Sequence, residues 1–285
     1  MVYNEPLFRL VHRPVVPRST IQVINGTCKL AHFQRTGIEQ LCVVSDWDRT
    51  LTKARTEDGQ DATSYSAIAH GAYLGNAYRV EMDRLYARYR PIEISQTISH
   101  RKKQQAMHDW WMAALAMMQK YGLTEAIIED IAIRDFMRLR DGAINFFNIL
   151  SDRDISLLVL SAGIGNVISK FLKVRSLLTS NVTVTANKLI FDTHGVVAGF
   201  CEPVIHSFNK ARHASNPQGC VLLLGDTIED AQMVTDADAA CVIRMGFLNE
   251  AVEENCAAYL RAYDIVICND ASMAPVIELL ETLCP

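Results

Sequence analysis

Apolar and polar positions follow three regimes along the chain. Over residues 1–35 there is little periodicity, and Pro6, Pro14 and Pro17 interrupt what there is, so this stretch is expected to be an extension packed on the main domain. Leu41–Ser45 (LCVVS) is then a short apolar, partly β-branched run. It predicts a strand buried on both faces, and the change to Asp46-Trp47-Asp48-Arg49-Thr50 marks its carboxyl end. From about Ala67 to Ile133 the spacing becomes helical. Met82, Leu85, Tyr86 and Tyr89 define one helix, which Pro91 is expected to stop. Met107–Tyr121 predicts a second helix, with Trp110, Trp111, Leu115 and Met118 on neighbouring faces and Gly122 as its C-cap. Thr124 opens a third, striped by Ile127, Ile128, Ile131 and Ala132. No strand pattern interrupts them, so residues 66–135 are expected to form an all-helical insertion.

After Arg140 strands and helices alternate. A helix at Ala143–Leu150 leads to a strand at Ser156–Leu160 and a turn at Ser161-Ala162-Gly163. Val182–Thr185 and Leu189–Phe191 alternate with polar residues and predict a small β-hairpin, followed by Val196–Ala198. Further strands are expected at Val221–Leu224, Ala240–Ile243 and Ile265–Ile267. This rhythm predicts an α/β fold: a Rossmann-like core with a parallel sheet, built from residues 36–65 and 136–285, around the helical insertion. Ligands of such sheets sit at the carboxyl ends of the strands. Asp46/Asp48, Ser161 and Asp226 all fall there.

Composition narrows the function. Of the 285 residues, 49% are hydrophobic and 21% charged, the balance of a soluble globular protein, and no apolar run approaches the length of a membrane span. A formal net charge of −4 argues against a nucleic-acid polymer as partner but leaves room for a small anion held by local donors. The eight cysteines form no CxxC pair and several lie in apolar runs, which fits small core residues of a reducing compartment. No continuous hydrophobic segment follows the basic amino-terminal residues, so a secretory signal is not expected; the basic stretch leaves organelle targeting open, Glu5 counts against it, and the cytoplasm is the default expectation. A monomer is expected.

Four clusters carry candidate chemistry. Asp46 and Asp48 are two apart in extended backbone and so face one side, where one carboxyl can attack phosphorus while the other manages a proton. Ser161, with the N–H groups of Ala162-Gly163 before a helix, can hold phosphoryl oxygens. Lys210, in HSFNK, can neutralise charge on a transferring phosphoryl group. Asp226 ends the run VLLLGD as a hard oxygen ligand for Mg²⁺, and Asp230 follows one turn later.

The ordered set DWDRT, LSAG, FNK and GDTIED resembles that of the haloacid-dehalogenase-like phosphohydrolase (HAD) superfamily. Within it, SAGIGNV, HSFNK, LLLGD and RAYDIVICND, with helices between the first two motifs, look like the cytosolic pyrimidine 5′-nucleotidase family. That resemblance covers roughly residues 36–283 and implies a HAD core under a helical cap. It further implies a small nucleotide as substrate, pyrimidine nucleoside 5′-monophosphates such as CMP and UMP. Asp46 would be nucleophile and metal ligand, and Asp48 acid and then base with its backbone carbonyl on the metal. Ser161, Ala162 and Lys210 would hold the phosphoryl group, and Asp226 would complete the Mg²⁺ site. Glu93 and Trp111 would meet the base. Three positions depart from the pattern: Glu229 for a glycine, Asn166 for an aspartate and Ala114 for a serine of the substrate pocket. They keep two alternatives open, a phosphatase of another small ester such as a phosphosugar, and a catalytically impaired nucleotide-binding protein.

Overall fold

A central strand meets partners from distant parts of the chain, and this sets the architecture. The computed structural model describes residues 21–23, 29–33, 41–95, 97–134, 136–214 and 219–283; most of the amino-terminal extension lies outside these. The strands are β1 (Ile21–Val23), β2 (Leu41–Ser45), β3 (Ser156–Ile164), β4 (Val182–Asn187), β5 (Leu189–Phe191), β6 (Val197–Phe200), β7 (Cys220–Gly225), β8 (Cys241–Leu248) and β9 (Ile265–Cys268). Seven form one sheet in the order β1-β9-β8-β7-β2-β3-β4, parallel except for β1, which pairs antiparallel with β9. β2 lies between β3 and β7, with Val43 opposite both Leu157 and Leu222.

The helices are α1 (Ser64–His70), α2 (Gly75–Ile94), α3 (His100–Lys120), α4 (Glu125–Ile133), α5 (Ala143–Asp152), α6 (Gly165–Val174), α7 (Val252–Ala262) and α8 (Ala274–Leu283). Both faces of the sheet are covered, because successive strand residues point to opposite sides. Val43, Leu222, Leu224 and Met245 join the larger core with Phe171 of α6 and Leu280 of α8. Val44, Leu223 and Val242 join the smaller one with Tyr263.

All four helices α1–α4 fall between β2 and β3, as the spacing predicts. Thr63 caps α1 with a reciprocal bond to Ser66, and Thr124 caps α4 by accepting the Ile127 N–H. At the end of α3, Gly122 takes φ +68°. The Leu123 and Gly122 N–H groups donate to the Met118 and Gln119 carbonyls, which closes the helix end.

Two expectations are corrected. Pro91 does not stop its helix, which runs on to Ile94; in the last turn a missing N–H removes one bond, toward Ala87, and the geometry carries through. The hairpin is also paired differently. Val182–Asn187 is the parallel edge strand beside β3, whereas β5 pairs with β6. A period of two marks an edge strand and a hairpin strand alike and does not name the partner. β3 also extends past the expected turn to Ile164, with irregular pairing between Leu160 and Ile164.

Candidate active site

The eight residues singled out in the sequence (Asp46, Asp48, Glu93, Trp111, Ser161, Ala162, Lys210 and Asp226) line one cavity of ≈ 210 Å³ at the carboxyl ends of β2, β3 and β7. Asp46 continues β2, its N–H donating to the Leu224 carbonyl at 3.0 Å. Trp47 then turns inward, fully buried and edge-on to Phe171 with ring centroids 5.6 Å apart, which anchors the turn carrying Asp48. The turn is clamped from below by Arg140, 1% exposed. Its guanidinium donates to the carbonyls of Thr50 at 2.8 Å, Arg49 at 2.5 Å and Ala271 at 2.6 Å, and lies 4.2 Å from the Phe247 ring centroid. Asp270 Oδ1, at 3.0 Å, balances its charge.

Lys210 is buried between two acids, its Nζ donating to Asp46 Oδ1 at 2.5 Å and Asp230 Oδ1 at 2.7 Å. Burial opposes its charge, but Asp230 and Asp46 outweigh burial and hold the ammonium protonated. Asp230 also accepts the Thr227 N–H at 3.0 Å. Ligand atoms of Asp46, Asp226 and Asp230 all lie within 4.8 Å of one another. Burial pushes the Asp46 carboxyl up to about 7, against the pull of Lys210, and pushes Asp226 well above the carboxylate range, with Asp46 and Asp230 adding to it. Asp46 and Asp230, both buried, and the partly buried Asp226 face the Lys210 ammonium and are short of positive charge. An all-oxygen set of this kind suits a hard divalent cation, so the residues present fit Mg²⁺. The Asp48 side chain is not in the trio; Asp230 takes the third place.

Asp48 is held separately. Its Oδ1 accepts the Ser64 N–H at 2.7 Å and its Oδ2 the Ser64 hydroxyl at 2.8 Å. Burial raises its carboxyl to about 6 against those two bonds. Ser161 is buried, and its Oγ accepts the Gly163 N–H at 2.9 Å. Asn187 ties this turn to the lysine loop, its Nδ2 donating to the carbonyls of Ala162 at 2.9 Å and Ile205 at 2.7 Å.

The helical insertion forms the opposite wall. Glu93 Oε1 accepts the Ser207 hydroxyl at 2.5 Å, and its Oε2 accepts Arg90 Nη1 at 2.5 Å. Trp111 is edge-on to Tyr65 at 5.9 Å, whereas Trp110 stacks on Tyr89 at 5.8 Å. Ala114 is fully buried in the wall. Of the departures, Asn166 bridges to β5, accepting the Leu189 N–H and donating to its carbonyl.

Sequence reasoning missed Ser64, Arg90, Arg140 and Asn187, along with the Arg49–Asp61 pair inside the cavity. The Thr63-Ser64 start of a helix was a signal for Ser64. Arg140, Asn187 and the Arg49–Asp61 pair act through contacts more than ten residues distant, which leave no local pattern, whereas Arg90 and Glu93 stand at the helical spacing of three, which was a signal.

A parallel sheet whose central strand ends in the paired acids, with lysine and a second acid cluster from flanking strands, defines the class: a HAD-like phosphohydrolase. The sequence model described as Pyrimidine 5'-nucleotidase (UMPH-1) matches residues 49–284, and the chain belongs to that family. It is a 5′-nucleotidase, a phosphoric monoester hydrolase. The 7-methylguanosine phosphate-specific 5'-nucleotidase of Drosophila melanogaster is 34% identical over 83% of this chain and 78% of its own length. The crystal structure of cytosolic 5'-nucleotidase IIIB bound to cytidine is 31% identical, with a TM-score of 0.81 over 92% of this chain and 93% of that one. A substrate-bound phosphoserine phosphatase shares the fold alone, at 14% identity and a TM-score of 0.52.

Proposed function

We propose that this enzyme hydrolyses pyrimidine nucleoside 5′-monophosphates, CMP and UMP, in the cytoplasm, through a phosphoryl group carried on Asp46. The observation that carries the reading is the meeting of Asp46 with Lys210 and the Asp226/Asp230 carboxylates beside the Ser161 turn, beneath a wall bearing Glu93 and Trp111. The similar solved structure named as cytosolic and bound to cytidine supports base and compartment alike.

An Asp46 carboxylate oxygen attacks phosphorus while the bond from phosphorus to the nucleoside 5′-oxygen breaks. Asp48, whose carboxyl burial raises to about 6 so that a fraction of it keeps its proton near neutrality, gives that proton to the leaving oxygen. Water then attacks the aspartyl-phosphate, Asp48 takes a proton from it, and the bond from phosphorus to Asp46 breaks to release phosphate. Ser161 and the backbone N–H groups after it orient the phosphoryl oxygens, and Lys210 holds Asp46 in line. Mg²⁺, held by Asp46, Asp226 and the Asp48 carbonyl with Asp230 alongside, would offset the repulsion between carboxylate and phosphate.

A second base is favoured by the aromatic wall and by the name of the Drosophila relative: 7-methylguanosine 5′-monophosphate, whose flat cationic ring suits an aromatic face. Phosphate release should be measured from CMP, UMP, AMP, 7-methylguanosine 5′-monophosphate and a sugar phosphate, with Mg²⁺. Turnover led by the nucleotides and lost in Asp46→Asn, by about 10³-fold or more, supports the reading. Equal or faster turnover of the sugar phosphate overturns it and leaves the phosphatase chemistry standing.

A further inference from the structure

The wall of the cavity that faces the base contains a carboxylate already matched by a cation. Arg90 and Glu93 lie three residues apart on one face of α2, where side chains meet. Both line the cavity. The guanidinium donates to Glu93 Oε2 at 2.5 Å and the Ser207 hydroxyl donates to Oε1 at 2.5 Å. The pair is sheltered, with side chains 30% and 16% exposed. Both oxygens of the only acidic group on this part of α2 that lines the cavity are therefore engaged, and its charge is neutralised where it stands. Asp61, the other carboxylate on the cavity's outer side, is likewise bound by Arg49. The charge excess of the cavity belongs to its phosphate end, where Asp46, Asp226 and Asp230 share one lysine.

This distribution bears on which base the wall accepts. An unpaired glutamate would offer negative charge and two acceptors. It would favour a ring that is cationic and rich in donors, such as 7-methylguanine with its N1–H and amino group. A glutamate held by arginine offers no net charge and adds guanidinium donors, which complement ring carbonyls and an unprotonated ring nitrogen. Cytosine presents O2 and N3, and uracil presents O2 and O4. Ala114 brings no hydroxyl to the wall, where this ion pair stands with Ser207 beside the aromatic rings.

We infer that Arg90 is a specificity-determining residue that sets this enzyme's preference toward neutral pyrimidine bases and against cationic 7-methylguanine. The inference rests on the nucleotidase reading above and adds to it a residue and a direction. Removing the guanidinium frees a carboxylate beside the base and removes a like charge from a cationic ring. At a few ångströms of separation and the effective dielectric of a partly buried site, one unit charge is worth on the order of 10-fold or more in relative rate.

The test compares wild type, Arg90→Met and Arg90→Lys. Each is assayed for kcat/KM on CMP, 7-methylguanosine 5′-monophosphate and GMP, the last a neutral purine that controls for ring size. The assay pH is kept low enough for 7-methylguanine to retain its N1 proton. Arg90→Met is expected to raise the ratio of the 7-methylguanosine nucleotide to GMP, and to CMP, by about 10-fold or more, while Arg90→Lys keeps the wild-type ratios. Binding of 7-methylguanosine and cytidine, followed by tryptophan fluorescence, should move in the same direction. Ratios that stay within about 2-fold in Arg90→Met, or that rise equally in Arg90→Lys, overturn the role of Arg90 while the nucleotidase remains. A wild type that turns over none of the three nucleotides removes the underlying reading and this inference together.

Discussion

Gly163 illustrates how closely the catalytic groups are stacked. A Cβ added there would press into Ser64 Oγ and stand 2.8 Å from Asp48 Oδ2 and 3.1 Å from Ser161 Oγ. The backbone at 163 therefore touches both the acid and the serine that orients it, and no other residue type fits without moving one of them. Gly163→Ala should retain the fold, and its kcat should fall by about 10²-fold, since a misplacement near 1 Å is costly in rate. Circular dichroism with single-turnover kinetics checks this, and a variant with wild-type kcat would sink it. At this scale Asp46, Asp48 and Asp226 were legible because they follow the abrupt end of an apolar strand, and Ser161 and Lys210 because they complete the ordered motif set. Arg140 was not, because a buried arginine satisfied by distant carbonyls is indistinguishable in sequence from a solvated one.

Between elements, the loop from Val204 to Lys210 joins the helical insertion to the nucleophile. Phe208 packs with Tyr89 and Met107, its carbonyl accepts Gln104 Nε2 at 3.1 Å, and Lys103 Nζ lies 5.0 Å from its ring centroid. Two residues on, Lys210 holds Asp46. Phe208→Ala should lower kcat more than it weakens cytidine binding, because the restraint on Lys210 is lost while the base wall remains; the reverse split would refute this. His206 in the same loop accepts the Phe208 N–H on Nδ1, and burial, with His108 and other cations adding to it, depresses its pKa to about 4. It is neutral when folded and takes up a proton in the unfolded chain below its ordinary value. The unfolded state then binds more protons, so stability should fall as pH drops from 6.5 to about 4, by at most about 1.4 kcal/mol per unit. Urea midpoints at pH 7 and 5 should differ less in His206→Gln than in wild type, and an equal difference would count against the assignment. Element types were legible, since periodicity reports burial. Pairing was not, as the reassigned hairpin shows: β4 pairs in parallel with the strand before it, β3, beyond the intervening α6, rather than with the adjoining β5.

Across the whole molecule, charge is distributed unevenly. A cluster of two buried carboxylates, a third partly buried and one ammonium is a stability liability that a divalent cation would relieve. Mg²⁺ is expected to raise the melting temperature of the metal-free protein, by a shift that grows with concentration. Asp226→Asn should melt higher than wild type without metal and respond little to it. Differential scanning fluorimetry with and without a chelator distinguishes these outcomes, and an Asp226→Asn variant that melts lower in the metal-free state contradicts the reading. The sheet order was legible only as a class, because the alternation of strands and helices implies parallel pairing but not which strand lies next to which.

The clamp beneath the nucleophile's turn has a temporal consequence. Arg140 reaches the carbonyls of residues 49 and 50 from the middle of the chain and is itself steadied by Asp270 and Ala271 near its end. During synthesis from the amino terminus, the segment bearing Asp46 emerges some 220 residues before its final support. The nascent polypeptide thus acquires a competent reaction centre only once residues 270 and 271 have been added, and ribosome-bound fragments ending before residue 270 should release no phosphate from CMP.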